Sequence, residues 1–64
     1  MKELVEVRED RHNNLCEIYK FEKDHYVVKY VVKYQGSGRY WLNRKTGSPY
    51  FSTLTTARRK IANN

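Results

Sequence analysis

Residues 25–45 read HYVVKYVVKYQGSGRYWLNRK, and the reading of this stretch decides the fold. It holds one four-residue unit twice, Val27-Val28-Lys29-Tyr30 and Val31-Val32-Lys33-Tyr34, and no acidic residue. Taken as a helix, the period would put Val27 and Val31, or Lys29 and Lys33, on common faces, so periodicity alone is ambiguous. Composition arbitrates, because crowded valines and tyrosines fit a pleated, half-buried strand. Gln35-Gly36-Ser37-Gly38 is the strongest hairpin signal in the chain, since glycine supplies the positive φ that such turns require. Arg39-Tyr40-Trp41-Leu42-Asn43 is then expected as the returning strand.

On the N-terminal side, Glu3-Leu4-Val5-Glu6-Val7 alternates enough for a first strand, with Val5 and Val7 on one side. Asn13-Asn14 suits a tight connection, because Asn tolerates the left-handed conformation. Leu15-Cys16-Glu17-Ile18-Tyr19-Lys20-Phe21 reads as a second strand, and Glu22-Lys23-Asp24-His25 as a charged turn. On the C-terminal side, Gly47 and Pro49 interrupt regular structure. The pattern then changes period: Phe51, Leu54, Ala57 and Ile61 fall on one helical face. Ser52 or Thr53 can cap the helix N-terminus, and Arg58, Arg59 and Lys60 favour the negative end of its dipole. The expected fold is α+β, an antiparallel meander of three to four strands with one C-terminal helix packed on one face (ββββα), in a single domain over residues 1–64.

A tight turn at Gly36-Ser37 places Tyr34 opposite Arg39 and sets the register behind it. One face then carries Tyr26, Val28, Tyr30, Val32 and Tyr34 beside Arg39, Trp41 and Asn43. A four-residue turn at 22–25 adds Phe21, Tyr19 and Leu15 to that face, which is the better core for Leu54, Ala57 and Ile61 to cover. The other face carries His25, Val27, Lys29, Val31 and Lys33 beside Tyr40, Leu42 and Arg44, with Lys29 directly across from Arg44, a like-charge pair. If the helix covered this second face instead, Arg39, Trp41, Asn43 and Tyr30 would be exposed, where Arg and Asn can read base edges.

Charge separates along the chain. Residues 1–24 carry five Lys/Arg against seven Asp/Glu (5 − 7 = −2), while residues 25–64 carry eight Lys/Arg and no acid (+8), which sums to the net +6. An unopposed basic field is self-repelling, and its commonest use is to hold a polyanion. Basic residues interleaved with flat or apolar groups suit a nucleic acid, whose phosphates, sugars and bases all offer contacts. The same residues also suit an open sheet face on which lysines discourage aggregation and lay their stems over valines.

A sheet followed by one helix, in a short basic chain, resembles the AP2/integrase-arm type of DNA-binding domain. The residues carrying the likeness are RYWLNRKTGSPYFSTLTTARRKIA: an Arg-aromatic-Trp-Leu strand, a Gly-containing turn, an aromatic residue and a Thr/Ser-capped helix. The resemblance implies a sheet lying in the DNA major groove, with Arg39, Trp41 and Arg44 at the contacting positions. The chain departs from that pattern in its helix, which lacks an acidic, alanine-rich body, and in its extra N-terminal strand. Its shortness and basic charge also resemble small bacteriophage proteins.

Other function classes have little support. A chain this short buries only about 60% of its unfolded surface. Its single cysteine, Cys16, excludes an internal disulfide and suggests a reducing, cytoplasmic setting (a host cytoplasm for a phage protein). No apolar run approaches the roughly 18 residues that span a membrane, and the charged N-terminus does not read as a signal peptide. No Cys/His spacing suggests a metal site, Gly36-Ser37-Gly38 lacks the rest of a phosphate-binding loop, and no cofactor is expected. A minimal ribonuclease would rest on His25, Tyr26 and nearby cations; a histidine at a strand start is more often structural, so an enzyme is not expected.

The leading expectation is a non-enzymatic nucleic-acid-binding module, for DNA rather than RNA. Lys29, Lys33, Arg44 and Lys45 would engage phosphates from the sheet, with Arg58, Arg59 and Lys60 as a second cluster on the helix. Arg39, Tyr40 and secondarily Trp41 would add base or sugar contacts. The rival is a protein-interaction module or inhibitor that docks an acidic partner, or adds its valine-rich strand to a sheet edge. That strand also favours a homodimer through sheet edges.

Overall fold

The computed structural model describes residues 2–23 and 27–63, the side chains of Lys23 and Val27 excepted. Three antiparallel strands form a sheet in the order β1-β2-β3: β1 spans Lys2–Glu9, β2 Leu15–Lys23 and β3 Val27–Tyr34. One helix, α1, spans Leu54–Ala62 and completes an α+β fold.

The described connections have local causes. Between β1 and β2, Asp10 is buried and its carboxylate accepts hydrogen bonds from the backbone amides of His12 (2.8 Å) and Asn14 (2.9 Å). Asn13 turns the chain there in the left-handed region (φ 64°). Burial works against the Asp10 charge, but the amides of Asn14 and His12 outweigh it and hold the carboxyl below its usual range. After β3, Gly38 takes φ 72° and its amide bonds the Tyr34 carbonyl at 2.8 Å. At α1, Thr53 is the N-cap: its hydroxyl accepts from the Thr56 amide at 3.1 Å.

The core lies between one sheet face and the helix. Cys16 and Ile18 of β2, Val32 of β3, Trp41, Phe51, and Ala57 and Ile61 of α1 form one buried cluster, with Tyr30, Tyr34 and Leu54 against it. The expected helix stripe of Leu54, Ala57 and Ile61 therefore does cover the Tyr30, Val32, Tyr34 and Trp41 side. Burial pushes the Cys16 thiol up to about 11, with the Asp10 charge adding to it.

Four sequence expectations are corrected. The fourth strand is not formed. Tyr34 and Arg39 do face one another (Tyr34 amide to Arg39 carbonyl, 2.8 Å), Lys33 bridges Tyr40, and the Trp41 amide reaches the Val32 carbonyl at 2.8 Å. Beyond Trp41 the chain leaves the sheet, and Phe51 takes the place beside Tyr30 through two backbone bonds of 2.8 and 2.7 Å. Phe51 is 2% exposed in that place, and its pairing with Tyr30 removes the expected Lys29–Arg44 opposition. Second, β2 presents Cys16, Ile18 and Lys20 to the helix side, not Leu15, Tyr19 and Phe21. Lys23 pairs with Val27, so the connection is one residue shorter than the turn assumed, and one residue inverts every side chain on the strand. Third, Val5 and Val7 do not share a regular alternation, because a bulge shifts the register between Leu4 and Glu6. Fourth, Glu22 and Lys23 belong to β2 rather than to a turn, while Asp24 and His25 lie outside the described residues.

The sheet face away from the helix has its own cover. Val31, paired with Tyr19, is only 2% exposed. Around it the Lys2 ammonium sits 4.4 Å from the Tyr19 ring and donates to the Tyr40 hydroxyl at 3.2 Å, while Lys29 lies 5.1 Å from the Tyr50 ring. Tyr50 meets Phe21 edge to face. Lysine stems and aromatic rings thus close over the valine, each cation–π contact adding about 0.5–1 kcal/mol.

Candidate nucleic-acid interface

The basic residues expected to act together fall into three groups. The first lies on the helix side, beyond the free end of the returning segment. Tyr34, Arg39, Tyr40, Trp41, Leu42, Arg44 and Lys60 line one cleft of about 280 Å³. A second cleft, of about 290 Å³, is lined by Asn43, Arg44, Lys45, Phe51, Thr56, Arg59, Lys60 and Asn63. Arg44 and Lys60 belong to both, so the two clefts adjoin. Arg39, Arg44, Lys45, Arg59 and Lys60 therefore share one surface.

Ordered turns present these cations. Asn43 nucleates the turn that carries Arg44 and Lys45: its side chain accepts from the Lys45 amide (3.0 Å) and its carbonyl from the Gly47 amide (2.7 Å). Gly47 supplies the positive φ (69°), and the Asn43 amide closes the loop on the Ser48 carbonyl at 2.7 Å. Arg39 follows Gly38 directly, its amide donating to the Ser37 hydroxyl at 3.3 Å. On α1, Thr56, Arg59, Lys60 and Asn63 are spaced three, one and three apart, one helical face opposite the buried stripe. No acid stands in the first turn, and Arg59 and Lys60 occupy the last.

The electrostatics set this group apart. Among the described residues Glu6 pairs with Arg8 and Arg58, Glu17 with Lys33, and Glu22 with Lys20. None pairs with Arg39, Arg44, Lys45, Arg59 or Lys60. Trp41 adds a further feature. It is 6% exposed, it lines the first cleft, and its indole Nε1–H is a buried donor with no hydrogen-bond partner among the described residues. An indole nitrogen can only donate, and a buried donor left unmet costs about 1–3 kcal/mol. Sequence reasoning placed Trp41 in the core and gave its N–H no first-choice role; no feature of the sequence signals that the donor stays unmet.

The second group is Lys29 and Lys33, on the opposite sheet face with Tyr40. Lys33 lies 3.5 Å from Glu17 and 5.5 Å from the Tyr19 ring. Tyr19 donates to Glu17 at 3.0 Å, and that bond, with the Lys33 charge, holds the Glu17 carboxyl below its usual range. The third group is Arg58 alone. About 200° around the helix from Lys60 at 100° per residue, it reaches across to Glu6 on β1. The resemblance to a groove-reading sheet is not supported by this arrangement, since Trp41 is buried and the Arg39–Asn43 segment is not a strand.

His25 and Tyr26, on which a ribonuclease would rest, lie outside the described residues. Among the described residues no three His, Cys, Asp or Glu side chains gather as metal ligands, and no helix is long and apolar enough to cross a membrane. No protein-family model, no curated protein and no solved structure matches the chain.

Proposed function

We propose that this chain is a non-enzymatic nucleic-acid-binding module, with duplex DNA as the favoured ligand, acting through Arg39, Arg44, Lys45, Arg59 and Lys60. The observation that carries the reading is that these five side chains line two adjoining clefts with no carboxylate in the lining of either. Guanidinium groups bind phosphate oxygens through two parallel N–H donors, and ammonium groups bind them as point charges. Cations held on hydrogen-bonded turns and a capped helix are pre-organised, which favours the regular phosphate ladder of a duplex. Contacts of this kind position a ligand and carry little sequence information.

Fluorescence anisotropy with a labelled generic DNA duplex tests the reading. Binding is expected at low salt, with log K falling against log salt at a slope of about −4 to −5 if each of the five cations meets one phosphate. Absence of binding at low salt, or salt-independent binding, removes the proposal. Affinity capture from the native host, with and without nuclease, separates it from docking on an acidic protein: nuclease is expected to release all partners.

A further inference from the structure

The two edges of the sheet are finished differently. The outer side of β3 is taken up by backbone bonds to Arg39, Trp41 and Phe51, so the valine-rich strand is not free to add to another sheet. β1 is the other edge; it is eight residues long and has no strand on its outer side among the described residues. Leu4, Val5 and Val7 on it are 49%, 38% and 45% exposed. Such an edge is a template for a further strand.

We infer that β1 pairs antiparallel with β1 of a second copy of this chain, about a two-fold axis at Val5-Glu6. The strand reads Lys2-Glu3-Leu4-Val5-Glu6-Val7-Arg8-Glu9. About that axis Lys2 meets Glu9 of the other copy, Glu3 meets Arg8, and Leu4 meets Val7. Every charge outside the centre meets its opposite, Leu4 meets Val7, and only Val5 of the exposed apolar residues falls beside a charge, Glu6 at the axis. Cross-strand partners must share a sheet face, and the bulge brings this about. Lys2, Leu4, Val7 and Glu9 pair with Phe21, Tyr19, Glu17 and Leu15 on the far face, whereas Glu3, Glu6 and Arg8 pair with Lys20, Ile18 and Cys16 on the helix face. Without the extra residue at Leu4/Glu6, each of the three pairs would join opposite faces.

The register is specific. A slip of two residues puts Lys2 against Val7 one way and Leu4 against Glu9 the other, losing the match. The two Glu6 carboxylates near the axis are each neutralised within their own copy by Arg58 at 2.6 Å and Arg8 at 3.3 Å. Lys2 would exchange its exposed contacts with Tyr19 and Tyr40 for Glu9 of the other copy. The product is an isologous dimer, the commonest symmetric assembly, with both helices on one side of a continuous sheet. It does not depend on the nucleic-acid reading.

Sedimentation equilibrium of the full chain tests this with charge exchange. Wild type is expected to dimerise, and Glu3→Arg and Arg8→Glu each to be monomeric. An equimolar mixture of the two variants is expected to recover a heterodimer. In it the arginines at positions 3 and 8 of one chain meet the glutamates at positions 8 and 3 of the other. Wild type that stays monomeric at about 1 mM, where half the chains of a millimolar dimer are paired, overturns the inference. So do single variants that dimerise as well as wild type. Should a variant fail to fold by circular dichroism, isotope-filtered NOEs in a mixed labelled and unlabelled wild-type sample decide: contacts between Leu4 and Val7 of different copies support the pairing, and their absence in a dimer overturns it.

Discussion

Arg58 of α1 donates two hydrogen bonds to a single carboxylate oxygen of Glu6 on β1, from Nε at 2.9 Å and Nη2 at 2.6 Å. The pair ties the helix to the edge strand furthest from the clefts, and it takes Arg58 out of the basic field that its neighbours Arg59 and Lys60 join. Both groups remain solvent-accessible, so the pair contributes no more than about 1 kcal/mol. Arg58→Ala is expected to lower stability by that amount or less in a urea titration, and to leave duplex affinity and its salt slope unchanged.

Arg59→Ala, one residue on, is expected to behave in the opposite way. Stability should hold, because the side chain is exposed at the helix end, while the salt slope for duplex binding should shrink by about one. Lys33→Ala is the companion control, since its charge is engaged with Glu17. An equal loss of affinity for Arg58→Ala, Arg59→Ala and Lys33→Ala would mean a diffuse charge effect and no defined surface.

The core is small enough for single truncations to be decisive. Ile18 from the sheet and Ile61 from the helix belong to the same buried cluster, and both are almost wholly buried. Ile→Ala at such sites costs about 2–5 kcal/mol, comparable to all that a core of this size supplies. Either variant is expected to lose the cooperative thermal transition that wild type should show by circular dichroism.

Of these two core positions Ile61 was legible and Ile18 was not, because the legible part of the core rests on local signals. The Leu54, Ala57 and Ile61 stripe, the Thr53 cap, the Asn13 turn and the Tyr34–Arg39 register each follow from a few adjacent residues. What was not legible depends on single-residue counts or distant competition. The side of β2 depends on a connection one residue shorter than assumed, and the missing strand depends on Phe51 displacing Asn43 beside Tyr30. For the same reason the site was only half legible. The helix spacing brings Arg59 and Lys60 together, but joining Lys29 and Lys33 to Arg44 required a fourth strand that is not formed.

Acid should expose the Asp10 turn. The Asp10 carboxyl is held below its usual range in the folded chain, so its stabilising contribution is complete above the unfolded value, about 3.9. It is lost as pH falls through the lower, folded value. Glu17, also depressed, acts in the same direction. Stability by urea titration is expected to fall steadily below about pH 4, and Asp10→Asn should flatten part of that slope while lowering stability at neutral pH.

Cys16 should be inert while the chain is folded. The thiol is fully buried and pushed up to about 11, so little thiolate exists near pH 8. Iodoacetamide is expected to label it only after denaturation; rapid labelling of the native protein would show that the β2–helix layer opens readily.

The most direct measurement uses the one tryptophan in the chain. Its indole N–H gives a single resonance in a proton–nitrogen correlation spectrum, and its residue lines the cleft that Arg39, Arg44 and Lys60 border. Titration with a generic DNA duplex is expected to shift that resonance together with the amides of Arg39, Arg44, Lys45, Arg59 and Lys60, and to leave Lys29 and Lys33 in place. Shifts confined to Lys29, Lys33 and Tyr50, with the indole resonance unmoved, would contradict the account.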